Sequence, residues 1–228
     1  MSNPTPVVVA NLKANRTWQE IESWLDAVGS KSKNFNGTVI FCPSYPFLAI
    51  CKEKIDRDSI NIKLGSQDIS KFEQGAYTGE VAASQIADLV EYTIIGHSER
   101  RQNFKEDDKV LEEKVENAIA AGIKPIFCVQ NEETPVPPSV SIVAYEPVFA
   151  IGTGNPDKPE NVQEISQKLN ARLAARQANG QYTLLYGGSV SASNVKSFVD
   201  QQAVDGVLVG ATNSLDPQEF VAILDALK

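Results

Sequence analysis

The feature of this sequence that most limits its fold is a regular alternation of two kinds of segment. Short runs rich in valine, isoleucine and leucine alternate with longer amphipathic stretches along the 228 residues. Several runs are almost continuously apolar, which is typical of parallel strands that are buried on both faces. We expect strands in eight segments, which lie at 6–13, 37–44, 61–68, 91–98, 124–130, 141–147, 182–188 and 205–211.

Eight strands that alternate with helices predict a closed, eight-stranded parallel (β/α)8 barrel. A doubly wound open sheet is the alternative from the alternation alone. Residues typical of helix starts precede the amphipathic stretches, with Thr17, Asp157 and Asp216 as expected caps. No linker or low-complexity segment divides the chain, so residues 1–228 are expected to form a single domain.

One connection departs from the alternation. Between the fifth and sixth strands lies only "NEETPVPP" at 131–138, with three prolines and no apolar periodicity, so no helix is expected there. Extended chain covers about 3.1 Å per residue, so about ten residues reach far enough to descend one strand. The sequence therefore predicts a barrel with seven peripheral helices and one bare crossover. Its exposed flank is covered either by neighbouring side chains or by a subunit contact.

Composition excludes several classes of function. The net charge is -8 and no basic run occurs, which argues against nucleic acid as a partner. No apolar stretch approaches the roughly 20 residues of a membrane span, and the N-terminus lacks the features of a signal peptide. One histidine with three scattered cysteines does not make a usual zinc site, so no metal is expected. A reducing, cytoplasmic location fits best.

Active sites of such barrels lie at the rim formed by the carboxyl ends of the strands. Polar residues follow three of the predicted strands at this rim: Asn11 and Lys13; His97, Ser98 and Glu99; and Glu146. A single histidine is more often structural than catalytic. Here, its place at the rim with Glu146 and Lys13 favours a catalytic role.

Glu146 is followed by a segment with the composition of a mobile lid. Pro147 stiffens the start, residues 150–154 are small and flexible, and the prolines within 155–159 stiffen the end. A carboxylate enclosed beneath such a lid is suited to act as a general base. A solvated loop glutamate is the alternative.

Glycine-rich turns after the last two strands predict an anion pocket. Backbone amides at a strand end and a helix N-terminus suit a phosphate, and barrels commonly bind phosphate at this place. The candidate residues are Gly187, Gly188, Ser189, Gly210 and Ala211, with Gly152 in the lid as a further amide. Ordinary strand-to-helix turns are the alternative.

Taken together, these stretches resemble the triosephosphate isomerase family. The similarity is close in "IIGHSERR", "AYEPVFAIGTG", "YGGSV" and "GVLVGA", and clear in "NLKAN", "FCPSYPFL" and "GSQDISKFEQGAYTGE". These stretches occur in order between residues 7 and 222, so the resemblance covers the chain. It implies a TIM barrel that interconverts dihydroxyacetone phosphate and glyceraldehyde 3-phosphate in glycolysis and gluconeogenesis, without a cofactor.

The resemblance also implies a role for each of these residues. Glu146 is similar to the family's base, which moves a proton between two carbons, and His97 to its neutral electrophile, which polarises the carbonyl. Lys13 is similar to the cation that stabilises enediolate charge. Asn11 resembles a substrate-binding donor, and Gly152, Ser189, Gly210 and Ala211 resemble the positions that hold the phosphate. Glu99 and Ser98 resemble residues that lie behind the catalytic groups.

In the family, the loop after the third strand reaches into a partner subunit's active site. The corresponding loop at 67–80 is complete, with Thr78 near its tip. The resemblance therefore implies a homodimer through this loop, in which Arg101 pairs with Glu80 across the interface. A second contact at the bare crossover would give a tetramer.

Several positions depart from the family pattern. Phe149 stands where the lid usually has tryptophan, Ala211 replaces a glycine, and Asp68 replaces an asparagine and would add negative charge near the mouth. The family's "CVGE" is "CVQN" here, so its acid is displaced or lost, with Glu132 or Glu133 as a replacement. None of these changes removes a catalytic group. Another phosphosugar isomerase and a non-catalytic binding protein are the alternative functions.

Overall fold

The computed structural model describes residues 5–175 and 182–228. The strands are β1 (Val7–Asn11), β2 (Thr38–Cys42), β3 (Lys63–Ser66), β4 (Tyr92–Ile95), β5 (Lys124–Val129), β6 (Ile142–Tyr145), β7 (Thr183–Tyr186) and β8 (Gly206–Val209). The helices are α1 (Trp18–Ser32), α2 (Leu48–Arg57), α3 (Ala83–Ile86), α4 (Ser98–Asn103), α5 (Asp108–Ala120), α6 (Pro159–Ala174), α7 (Val195–Val199), α8 (Ala211–Leu215) and α9 (Pro217–Ala226). None of the helices in these two described ranges has the length and apolar composition to cross a membrane.

The strands form a closed parallel barrel in chain order, which confirms the predicted fold. Val8 pairs with Val39 on one side and with Val207 on the other, so β1 closes the sheet against β8. Inward side chains such as Val9 and Ile126 fill the barrel, and outward ones such as Val8 pack beneath the helices. Because both faces of each strand are buried, the strands are almost continuously apolar.

The crossover between β5 and β6 contains no helix along residues 130–141, as predicted. Each of the other six connections between consecutive strands includes a helix, and α8 and α9 follow β8. Two crossover side chains, Val136 and Val140, are 3% and 1% exposed and join the outer core with Phe127 and Val143. Neighbouring side chains therefore cover this flank, which was one of the two expected arrangements.

The crossover is also fixed to α6 by polar contacts. Arg172 donates a hydrogen bond to the carbonyl of Thr134 at 2.6 Å, and Lys168 pairs with Glu132 at 3.3 Å. Asn131 accepts from the backbone N–H of Thr134 at 2.9 Å and so turns the chain at the start of the crossover. Glu132 thus pairs with a lysine of α6, and the expectation that Glu132 or Glu133 replaces the family's acid stays a prediction.

Helix starts follow the predicted caps with one exception. The backbone N–H of Thr17 donates to Glu20 at 2.8 Å, and Asp216 accepts from the N–H of Gln218 at 2.9 Å. The assignment of Asp157 as a cap was wrong by one residue, because α6 begins at Pro159 with Lys158 as its N-cap. Proline is preorganised for the first helical turn and so sets the start there.

We expect the buried valines of the crossover to stabilise the fold by covering the apolar side chains of β5 and β6. Val140→Ala should lower the free energy of unfolding by about 2 kcal/mol, because it removes fully buried apolar surface and leaves a cavity. Urea denaturation followed by circular dichroism measures this change. Ser139→Ala, at the exposed neighbouring residue, is the control. Equal urea midpoints for Val140→Ala and Ser139→Ala would contradict this role of Val140.

Candidate active site

A cavity of about 320 Å³ opens at the carboxyl ends of the strands, where the sequence predicted the site. It brings together residues that lie at or just after the ends of β1, β4, β6, β7 and β8 and are distant along the chain. Its lining includes seven of the predicted site residues: Lys13, His97, Glu146, Gly152, Gly187, Ser189 and Gly210. Asn11 and Glu99 line an adjoining cavity that also borders Lys13 and His97.

Glu146 and His97 lie within hydrogen-bonding distance of each other. Glu146 is 1% exposed, and its Oε1 is 3.2 Å from His97 Nε2, while its Oε2 accepts from the N–H of Ser98 at 3.2 Å. His97 is the N-cap of α4, and its Nδ1 accepts from the backbone N–H of Glu99 at 3.2 Å. Because an accepting nitrogen carries no proton, this geometry places the proton of a neutral imidazole on Nε2.

Lys13 is held in an unusual backbone conformation. Its φ is 54°, in the left-handed region that residues other than glycine rarely adopt. Its N–H donates to Asn11 Oδ1 at 3.0 Å, and its carbonyl accepts from Gln67 Nε2 at 2.7 Å and from Ser44 Oγ at 3.0 Å. These bonds direct its ammonium group to Glu99, with Nζ 2.5 Å from Oε1. Sequence reasoning did not identify Gln67, because the bond joins residues 54 positions apart.

The lid lies against the loop that follows β7. Gly154 donates its N–H to Ser189 Oγ at 3.2 Å, and the same hydroxyl donates to the carbonyl of Ala150 at 2.5 Å. Gly152 and Gly154 have φ values of 68° and 76°, which glycine adopts without strain. The positive φ values therefore favour glycine over other residues at these two lid positions. Phe149, where the family has tryptophan, is 63% exposed.

The loop after β8 leads directly into a helix beside the cavity. Gly210 is the N-cap of α8 and Ala211 is its first residue, so the replacement of glycine at 211 falls on a helical backbone that other residues adopt readily. The free N–H groups of a first helical turn suit an anion. Thr212 and Asn213 also line the cavity, although the glycine pattern did not identify them.

The residues assigned to the dimer interface lie apart from this cavity. Thr78 and Glu80 are exposed on the loop at 67–80. Arg101 binds within its own subunit, where it donates to the carbonyl of Gly96 at 2.9 Å and pairs with Asp108 at 3.0 Å. The predicted pairing of Arg101 with Glu80 of a second copy stays a prediction.

Asp68 borders the adjoining cavity with Lys13 and His97, and two basic side chains compensate its negative charge. Its carboxylate is buried and binds Lys114 at 2.7 Å and Arg100 at 2.9 Å. These two partners lie on α5 and α4, so their position next to Asp68 could not be read from the local sequence.

The three cysteines are free and buried, and they offer no reactive thiolate. Burial raises the pKa of Cys51 to about 12 and raises the pKa values of Cys42 and Cys128 further above the ordinary range. Among the residues that the structure describes, no group of three or more histidine, cysteine, aspartate or glutamate side chains is placed to hold a metal ion.

Comparison with known proteins agrees with this geometry. The family model described as triosephosphate isomerase matches residues 6–138 and 137–227. The chain belongs to the triosephosphate isomerase family. Similar relatives named triosephosphate isomerase are those of Candida albicans, 37% identical with 95% of this chain and 96% of the relative covered, and Hahella chejuensis, 36% identical with 96% and 97% covered.

The comparison also locates the departure from the triosephosphate isomerase family pattern. The family match is divided at residues 137–138, inside the crossover that lacks a helix. The alignment with the Hahella chejuensis relative extends over 244 positions, more than the 228 residues of this chain, so that relative has residues without a counterpart here. The short crossover is therefore a departure of this chain within the family.

The charge state of His97 can be measured directly because it is the only histidine. We expect nitrogen NMR at pH 7 to show one neutral imidazole with the proton on Nε2, since Nδ1 accepts the N–H of Glu99. Proton–nitrogen correlation spectra of uniformly labelled protein distinguish the two tautomers and the cation. A spectrum with both ring nitrogens protonated would contradict the assignment.

Proposed function

We propose that this chain interconverts dihydroxyacetone phosphate and glyceraldehyde 3-phosphate by proton transfer through an enediolate. The observation that carries the proposal is the convergence of Glu146, His97 and Lys13 on one cavity of about 320 Å³. A base, a neutral hydrogen-bond donor and a cation meet what this proton transfer requires of side chains.

Glu146 takes the proton from one substrate carbon and returns it to the neighbouring carbon. Its burial favours this role, because a carboxylate shielded from water reacts readily with a weak carbon acid. One of its oxygens accepts a hydrogen bond from the N–H of Ser98 and the other faces His97 Nε2, so the carboxylate is held at the cavity wall. Substrate that enters the cavity replaces His97 as the neighbour of the carboxylate.

His97 and Lys13 stabilise the negative charge that develops on the substrate oxygens. Nε2 of His97, which faces Glu146 in the structure, donates its proton to the carbonyl oxygen of bound substrate, and this oxygen becomes an enediolate oxygen. Lys13 supplies a positive charge whose direction is set by Glu99 and by the constrained Lys13 backbone. Both groups are in place before substrate binds, so little reorganisation accompanies the reaction.

The phosphate is held by backbone N–H groups that border the same cavity as Glu146. Gly210 and the first turn of α8 present backbone N–H groups, and Gly152 of the lid borders the same space. With the lid against Ser189, water is kept from the enediolate, which would otherwise lose its phosphate.

Loss of the base is expected to abolish most of the activity. Glu146→Gln should lower kcat about a thousandfold, because an amide cannot accept the proton, whereas the phosphate contacts are retained. A coupled assay of isomerisation in both directions measures this. Glu116→Gln, at an exposed residue of α5, is the matched control and should keep the full rate. Full activity in Glu146→Gln would overturn the proposal.

We propose that the enzyme is a homodimer through the loop at 67–80. The loop is already ordered, with Phe72 stacked on Tyr77 at 3.9 Å between ring centroids. A cavity of about 370 Å³ beside Lys13 and Glu99, with Phe104 65% exposed at its edge, can receive the loop of a second copy. The crossover exposes polar side chains and prolines, so the proposal is limited to a dimer and does not extend to a tetramer.

In solution, the particle mass should be twice the 24.8 kDa of one chain. Thr78→Arg should yield single subunits, because it places a charge and a long side chain at the loop tip that must enter the partner. Light scattering combined with gel filtration measures the mass. Ser139→Arg, on the crossover, introduces the same side chain elsewhere and should leave the dimer intact. A wild-type mass of one or four chains would contradict the dimer.

We infer that the barrel acts as one catalytic domain, residues 1–228, in the cytoplasm, within glycolysis and gluconeogenesis. Three free cysteines, all buried, fit a reducing compartment. The closed strand order supports a single domain, because β1 and β8 must pair to complete the barrel. Cell fractionation with an isomerase assay tests the location.

A further inference from the structure

Three buried charged side chains and the partly buried Arg100 form a closed network behind the active site. Lys114 Nζ lies 2.7 Å from Asp68 Oδ1 and 2.6 Å from Glu106 Oε1. Arg100 lies 2.9 Å from Asp68 and 2.8 Å from Glu106. Each acid therefore contacts each base. We call Asp68, Arg100, Glu106 and Lys114 the charged quartet.

Asp68 supplies most of the acceptor oxygens in the quartet and one of its two negative charges. Glu106 receives Arg100 and Lys114 on a single oxygen, and its Oε2 is buried with no hydrogen-bond partner among the residues that the structure describes. The remaining acceptors for the two bases are the oxygens of Asp68. Burial raises the pKa of Asp68 to about 6, so the carboxylate is ionised at pH 7.5 and the quartet is neutral overall.

The quartet is connected to the catalytic groups through α4. Arg100 is the third residue of this helix, and its backbone N–H donates to the carbonyl of His97 at 2.9 Å. The same helix carries Glu99, which pairs with Lys13. A helix of six residues is not stable by itself, so its position is set by contacts of its side chains.

We propose that Asp68 is a positioning residue for the reaction, which holds the Arg100 side chain and thereby sets α4 with His97 and Glu99. Asp68 lies at the root of the loop 67–80 and does not line the cavity with Glu146, so it acts without touching the reacting atoms. The effect on rate rests on the proposed function, whereas the effect on the position of His97 does not.

The test combines kinetics with the NMR signals of the single histidine, at pH 7.5 and well below the melting temperature. Asp68→Ala should lower kcat/KM about tenfold, mainly through kcat, because a small displacement of His97 weakens its bond to the carbonyl oxygen. The imidazole signals of His97 should shift in the same variant. A residue that only adds stability would leave both unchanged in the folded protein.

Asp108→Ala is the matched control. Asp108 pairs with Arg101, the next residue of α4, at 3.0 Å, but its side chain is 56% exposed. This variant should keep the rate and the His97 signals, because an exposed ion pair contributes little to position. Circular dichroism and the solution mass of each variant show that folding and assembly are retained.

A second variant decides the matter if Asp68→Ala does not fold. Asp68→Asn keeps the shape and one acceptor oxygen but removes the negative charge that balances Arg100 and Lys114, so it holds both cations more weakly. Shifted His97 signals with a threefold or larger loss of kcat/KM would support the proposal. Unchanged signals and rate in a folded Asp68 variant would overturn it. An inactive wild type would instead contradict the proposed function, and the His97 signals would still test Asp68.

Discussion

Closure of the barrel is the constraint on which the rest of the structure depends. When β8 pairs with β1, all eight carboxyl ends meet at one rim. Lys13 and Glu146 come from strands on different sides of this rim and face one cavity only because the sheet is closed. The buried strands supply rigidity, since both faces are packed, so the polar groups at their ends can be held in strained or desolvated positions.

The bare crossover shows what closure requires of a flank. Apolar β5 and β6 side chains must be covered, but a helix is not the only means of covering them. Val136 and Val140 provide the apolar cover, and Arg172 with Lys168 fastens the segment to α6. The crossover is short, but it lies on the outer flank of the barrel and not at the rim. The departure from the family pattern therefore leaves the catalytic groups intact.

Two networks of different character hold the catalytic side chains. Lys13 is fixed by hydrogen bonds that the polar side chains of Gln67 and Ser44 donate to its carbonyl, and these stabilise a conformation that the chain would not adopt alone. His97 is fixed by its place as the cap of α4, a helix tied in turn to the charged quartet. Both networks include the root of the loop at 67–80, so the proposed dimer loop begins where the active site is organised.

The sequence by itself determined the strands, the rim residues and the absence of the helix, because each follows from local pattern: apolar runs, polar residues at strand ends and three prolines in a short segment. Tertiary structure decided what depends on distant partners. Asp68 is neutralised by Lys114, 46 residues away, and the crossover is sealed by side chains of its own chain, a choice that the sequence left open. Contacts between residues that are far apart in the sequence depend on how the barrel closes, so no local sequence pattern predicts them.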